Sequence, residues 1–111
     1  MRVCQEEIFG PVVALITFSS TEEAIAIAHD TPYGLGAVVW SRDAHDLFLV
    51  PRAIQADRVW VNQYNTYPAH APFVGIKESG FGRENYKMAL DHYRVVKNMI
   101  IFYDKESLGF F

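Results

Sequence analysis

Three apolar, partly β-branched runs separated by two capped, helix-periodic segments constrain the first half of this chain more tightly than anything else in it. Val12-Val13-Ala14-Leu15-Ile16-Thr17-Phe18 is unbroken, the pattern of a strand buried on both faces. Ser20-Thr21-Glu22-Glu23 follows as a capping box, in which the Ser20 hydroxyl accepts from the Glu23 amide while the Glu23 carboxylate reaches back. Ala24, Ile25, Ile27 and Ala28 supply the apolar face of a helix to about Asp30. Thr31-Pro32-Tyr33-Gly34 ends it, because proline disfavours helical geometry at the preceding residue and glycine permits a turn. Residues 35–40 read as a second strand, Ser41-Arg42-Asp43 as a cap, 43 to about 56 as a second helix and 58–62 as a third strand. Pro51 predicts a kink in that helix. The β-α-β-α-β order predicts an α/β fold with parallel strands, helices covering them and right-handed crossovers.

Residues 63–82 have no periodicity, only Tyr64, Tyr67, Pro68, Pro72, Gly75, Gly80 and Gly82 strung along them; an ordered loop that long is usually functional. Arg83 or Glu84 begins a third helix ending near Tyr93. Residues 94–103 then form a strand-like run with apolar residues on both faces, for which no partner is evident in the rest of the chain.

Half of the 111 residues are hydrophobic, enough to bury roughly 65% of the unfolded surface if the chain folds as one compact domain. The net charge is −3, with four bases against eight acids in the first 62 residues and six against five in the remainder. No basic footprint for nucleic acid or an anionic membrane results. The apolar runs fall far short of the ~20 residues of a membrane span, and a cytoplasmic location is expected. A single cysteine excludes an internal disulfide. Zinc-ligand spacing, G-x-S-x-G, Walker A and G-x-G-x-x-G are all missing; Gly34-Leu35-Gly36 lacks the third glycine.

Two segments carry a more specific signal. Glu6-Glu7-Ile8-Phe9-Gly10-Pro11 is answered by Pro72-Phe73-Val74-Gly75-Ile76-Lys77-Glu78-Ser79-Gly80-Phe81-Gly82-Arg83-Glu84, with Thr31-Pro32-Tyr33-Gly34-Leu35 and Val59-Trp60-Val61-Asn62 between them. In this order and spacing they resemble the C-terminal part of an NAD(P)-dependent aldehyde dehydrogenase. The tail, Lys87-Met88-Ala89-Leu90-Asp91-His92-Tyr93 with Leu108-Gly109-Phe110-Phe111, is most similar to the bacterial acetaldehyde dehydrogenase branch.

That resemblance implies a partial catalytic domain over residues 1–93 and an oligomerisation strand with its tail over 94–111. It implies oxidation of a small aldehyde to its carboxylic acid with NAD or NADP, and partners comprising the aldehyde, the remainder of the enzyme and further copies of the chain. Members of the family are several times longer and carry upstream a Rossmann-like cofactor domain and the cysteine nucleophile. The 111 residues are therefore expected to be a truncated product or fragment, inactive alone, and a catalytically inert remnant serving only assembly is the rival reading.

In the family the second Glu of the first motif accepts hydrogen bonds from the nicotinamide ribose, which assigns Glu7 to the cofactor; a charged acceptor strengthens such bonds. Phe9 would pack beside the nicotinamide ring, Gly10-Pro11 would set the turn that aims both, and Glu6 is structural. Asn65, Tyr67, His70 and Phe73 fall where similar enzymes line the aldehyde tunnel, aromatic walls excluding water from the reacting carbon. The alternative is that these aromatics only pin the loop to the core. His70 fits no general-base pattern, and His29, His45 and His92 read as surface or boundary residues. Cys4 is too close to the cofactor motif to be the family's nucleophile and reads as a half-buried structural cysteine. Four positions depart from the family's pattern. Asp57 and Val74 stand where glycine is usual, which predicts an uncomfortable left-handed cap at Asp57 and, if a positive φ is needed, about 1–2 kcal/mol of strain at Val74. Asn85-Tyr86 also departs, with Tyr86 expected to be exposed.

Overall fold

The computed structural model describes residues 1–106 and 109. Ser107, Leu108, Phe110 and Phe111, part of the tail expected after the last strand, lie outside the described residues.

The two helices form where the capping signals place them. α1 spans Thr21–His29 with Ser20 as N-cap, its Oγ accepting the Glu23 amide at 3.2 Å. The Glu23 carboxylate reaches back one residue further than a reciprocal box requires, to the Ser19 amide at 2.7 Å. Its own backbone N–H, and then the Ser20 hydroxyl, hold the exposed Glu22 carboxyl below the ordinary range. α2 spans Ala44–Ala53, capped by Asp43, whose carboxylate accepts from the amides of His45 and Asp46. The helix continues through Pro51 and stops at Ala53, short of the expected end near residue 56. A proline near the last turn removes one backbone donor without a full turn beyond it to disrupt.

α2 is the crossover of a β-α-β unit. β1 (Tyr33–Gly34) precedes β2 (Gly36–Val39), which pairs in parallel with β3 (Arg58–Val61), Gly36 opposite Arg58 and Val39 opposite Val61. The expected three-stranded parallel sheet is thus reduced to two strands. Residues 12–18 make no strand pairing, and Val13 and Leu15 are 81% and 91% exposed. An extended apolar run becomes a strand only where a neighbour completes its hydrogen bonds, and none of the described residues does so.

A second sheet was not foreseen. β4 (Ile76–Lys77), inside the stretch expected to be irregular, pairs antiparallel with β1, Tyr33 opposite Lys77 and Gly34 opposite Ile76. Gly34 is buried there because a Cβ would stand 2.6 Å from the Ile76 side chain and 2.8 Å from the Gln55 carbonyl oxygen. Gly75 is required for a similar reason: its Cβ would meet the Ser79 carbonyl carbon at 2.5 Å, inside the turn that returns the Ser79 hydroxyl to the Gly34 amide.

The third helix is shorter than expected. α3 covers only Tyr86–Ala89 and passes into a 3-10 turn over Leu90–Tyr93. Glu84 is held in an antiparallel bridge to Phe73, and Asn85 and Tyr86 have φ of 60° and 53°, so helical geometry cannot begin before that point. Tyr86 is exposed, as expected. Residues 94–103 extend without pairing, with Val95 and Val96 more than 90% exposed.

The chain is consequently not the compact domain that its composition permits. Its radius of gyration is 22.5 Å, against about 13 Å for a compact chain of this length. It exposes 9730 Å², against about 6,200 Å² for a folded monomer of its mass. Only Trp60 and Val74 are buried among the large apolar residues described. No helix among the described residues is long and apolar enough to cross a membrane.

Candidate functional site

Trp60 is the hub of the ordered region. Its indole N–H donates to the Thr66 carbonyl at 2.9 Å, and its ring meets Tyr64 and Tyr67 edge-on at centroid distances of 5.3 and 5.4 Å. Tyr67 meets Phe73 in the same way at 5.4 Å. Edge-to-face contacts of this kind add about 0.5–1.5 kcal/mol each to the area that they bury. The Arg58 guanidinium lies over the rings of Phe73 and Tyr67 at 4.9 and 5.0 Å. It also donates to the Pro72 carbonyl at 2.8 Å and, at 3.4 Å, to those of Thr66 and Ala71.

Of the four expected wall residues the structure therefore joins two. Tyr67 and Phe73 share the ring cluster and do pin the loop, while Asn65 and His70 are exposed and stand outside it. Asn65 has φ 63°, a left-handed conformation that asparagine tolerates. A cleft of about 540 Å³ bounded by Phe73, Val74, Ser79, Arg83, Glu84 and His92 takes in Phe73 but not Tyr67, Asn65 or His70.

The expected strain at Val74 is not realised. Val74 is absent from the positive-φ residues, its side chain is 7% exposed, and its amide donates to the Asp57 carboxylate at 2.9 Å. Asp57 does not adopt a left-handed cap either, since α2 has already ended with Ile54 as its C-cap. The two residues in place of glycine bond each other, and valine is accommodated as core.

Glu7 and Phe9 occupy an irregular segment after the 3-10 turn Arg2–Cys4. Gln5 ties this segment to the end of α1 through Asp30 at 2.9 Å. Glu6 is engaged by Arg2, whose guanidinium reaches both carboxylate oxygens at 2.7 and 3.0 Å and whose pKa that contact raises. Of the adjacent pair only Glu7 keeps an uncommitted carboxylate among the described residues. Phe9 is 90% exposed at φ 52°, and a bulky residue held in that region costs of order 1–3 kcal/mol and often marks a functional segment. Glu7 thus keeps an exposed, unengaged carboxylate two residues before the exposed Phe9 ring. No ring contact or hydrogen bond among the described residues joins them to the 63–82 loop.

Cys4 is half-buried with a free thiol. His29 accepts the Gln55 amide and His92 the Arg83 amide, each through Nε2, so both brace backbone turns.

Sequence reading passed over Arg58, Asp57 and Trp60 as anchors of the loop. A signal was available: Arg58 and Trp60 alternate onto one face of a strand that precedes an aromatic-rich loop, the arrangement in which a guanidinium finds rings.

The aldehyde dehydrogenase family profile matches residues 1–99. The whole chain is 60% identical to acetaldehyde dehydrogenase 2 of Cupriavidus necator and 58% identical to a long-chain-aldehyde dehydrogenase of an Acinetobacter species, spanning 22% of the length of each. It superimposes over its full length on 22% of a betaine aldehyde dehydrogenase from Staphylococcus aureus, solved in complex with NAD+, at 39% identity and a TM-score of 0.89.

Proposed function

The chain belongs to the aldehyde dehydrogenase family, and we propose that it forms part of an enzyme oxidising a small aldehyde to its carboxylic acid with NAD(P)+. In this reading Glu7 accepts hydrogen bonds from the nicotinamide ribose and Phe9 borders the nicotinamide ring. Asn65, Tyr67, His70 and Phe73 lie along the aldehyde passage. Residues 1–93 belong to the catalytic domain, and 94–103 are the strand through which copies of the enzyme associate in the cytoplasm. The single observation that carries the reading is the full-length superposition, at a TM-score of 0.89, on part of an NAD+-bound aldehyde dehydrogenase.

The bound cofactor supplies the hydride acceptor. This chain's residues position and exclude. The Glu7 carboxylate orients the ribose through charge-assisted hydrogen bonds, and an oriented ribose limits the poses of the ring attached to it. The rings of Tyr67 and Phe73, held by Arg58, present a firm apolar wall that keeps water from the aldehyde carbon.

The test uses a full-length enzyme in which these 111 residues replace the matching segment of the Cupriavidus necator relative. Losing a charge-assisted hydrogen bond costs about 1.5–3 kcal/mol, so Glu7→Gln should lower kcat/KM roughly ten- to a hundredfold without altering thermal stability. Unchanged kinetics and unchanged NAD+ affinity would return Glu7 to the class of solvated surface charges.

A further inference from the structure

We propose that the consecutive pair Asp57-Arg58 is the positioning device of the loop that carries Tyr67 and Phe73, and that through it this pair sets which aldehydes pass; this rests on the passage reading above. The pair grips the loop with opposite chemistries. Asp57 takes a donor, the Val74 amide at 2.9 Å, and Arg58 takes acceptors, the carbonyls of Pro72, Ala71 and Thr66. The same guanidinium lies 4.9 Å from the centroid of Phe73 and 5.0 Å from that of Tyr67, so it holds backbone and rings together.

The grip has a fixed base. The Asp57 amide donates to the Gly34 carbonyl at 3.2 Å and the Arg58 amide to that of Leu35 at 3.3 Å, joining the pair to β1 and to the residue between β1 and β2. Beyond the loop, Phe73 and Glu84 exchange two backbone hydrogen bonds at 2.8 and 2.9 Å. The Tyr67 hydroxyl makes no hydrogen bond among the described residues, and the side chain is 46% exposed; its position depends on its ring contacts with Trp60 and Phe73 and on the cation above it. Lysine cannot replace Arg58 here, because an ammonium lacks the planar fork that serves several carbonyls while lying against rings. Neither side chain needs to touch substrate to act: it is the placement of Tyr67 and Phe73 that transmits the effect.

The experiment compares acetaldehyde with hexanal in the full-length enzyme carrying this segment, for Arg58→Lys, Asp57→Asn and Tyr67→Leu, with hydrogen exchange followed in the peptide covering residues 63–74. The expected result for Arg58→Lys is a roughly tenfold change in the ratio of the two aldehyde KM values, the scale of one lost charge-assisted hydrogen bond. Exchange across 63–74 should accelerate, while KM for NAD+ stays within about threefold, a split that a general loss of folding would not give. Should Arg58→Lys not fold, Asp57→Asn, which keeps the size but leaves the Val74 amide a neutral acceptor in place of a charged one, should shift the ratio and the exchange in the same sense by a smaller factor. A ratio that stays constant in both variants while Tyr67→Leu shifts it would overturn this proposal and leave the passage reading standing. If none of the three shifts it, the passage reading and this proposal fall together.

Discussion

Replacing Val74 by glycine separates two physical accounts of this chain that predict opposite signs. Were Val74 held at positive φ, glycine would relieve strain and stabilise; with an ordinary φ and a side chain only 7% exposed, glycine instead removes a core group. Burial of a valine side chain is worth about 1.5–3 kcal/mol, and the extra freedom that glycine gives the unfolded chain costs a further 0.4–1 kcal/mol or so. The sum, roughly 2–4 kcal/mol, is destabilising. With a urea dependence of about 1–3 kcal/mol per M, the unfolding midpoint should fall by roughly 0.7–4 M. Fluorescence reports the transition in the chain ended after Tyr93, which removes the unpaired apolar edge of residues 94–103, if Trp40, which is 68% exposed, is first replaced by phenylalanine to leave the buried Trp60 as the only indole. Val74→Ala provides the decisive comparison, because alanine removes most of the side chain without glycine's backbone freedom. The expected order of midpoints is valine, then alanine, then glycine. A glycine variant as stable as the alanine variant, or more so, would refute the packing account and restore the strain account.

The 111 residues alone should show no NAD+-linked oxidation of acetaldehyde, followed as absorbance of the reduced cofactor, because their sole cysteine is a half-buried residue on a terminal turn. Turnover that disappears on Cys4→Ser would instead make Cys4 a nucleophile. The chain should also not be a stable monomer, since residues 94–103 present an unpaired apolar edge with Val95, Val96, Ile100 and Tyr103 each more than 85% exposed. Ending the chain after Tyr93 should shift it toward the monomer in light scattering coupled to size exclusion, and a sharp monomer peak for all 111 residues, unchanged by that truncation, would show the segment folding back on its own chain.

What the sequence alone determined is what short-range chemistry decides. Ser20 with Glu23, and Asp43 with the amides of His45 and Asp46, set the starts of α1 and α2, because an N-cap needs only three or four neighbouring residues. The parallel pairing of β2 with β3 followed from two β-branched segments flanking one amphipathic helix. The motifs around Glu7 and Phe73 likewise carried the family in one dimension. The tertiary structure decided everything that depends on a distant partner. Residues 12–18 and 94–103 have strand composition, but an extended chain is a strand only when another backbone answers it. β4 is two residues long, too short for any periodicity, and exists because Gly34 and Gly75 let main chains approach closely enough to pair. The φ of Val74 was not legible from residue type, since the Asp57 carboxylate reaches it across 17 positions of sequence. Arg58 read as the polar start of a strand; only the folded loop brings three carbonyls and two rings to one guanidinium.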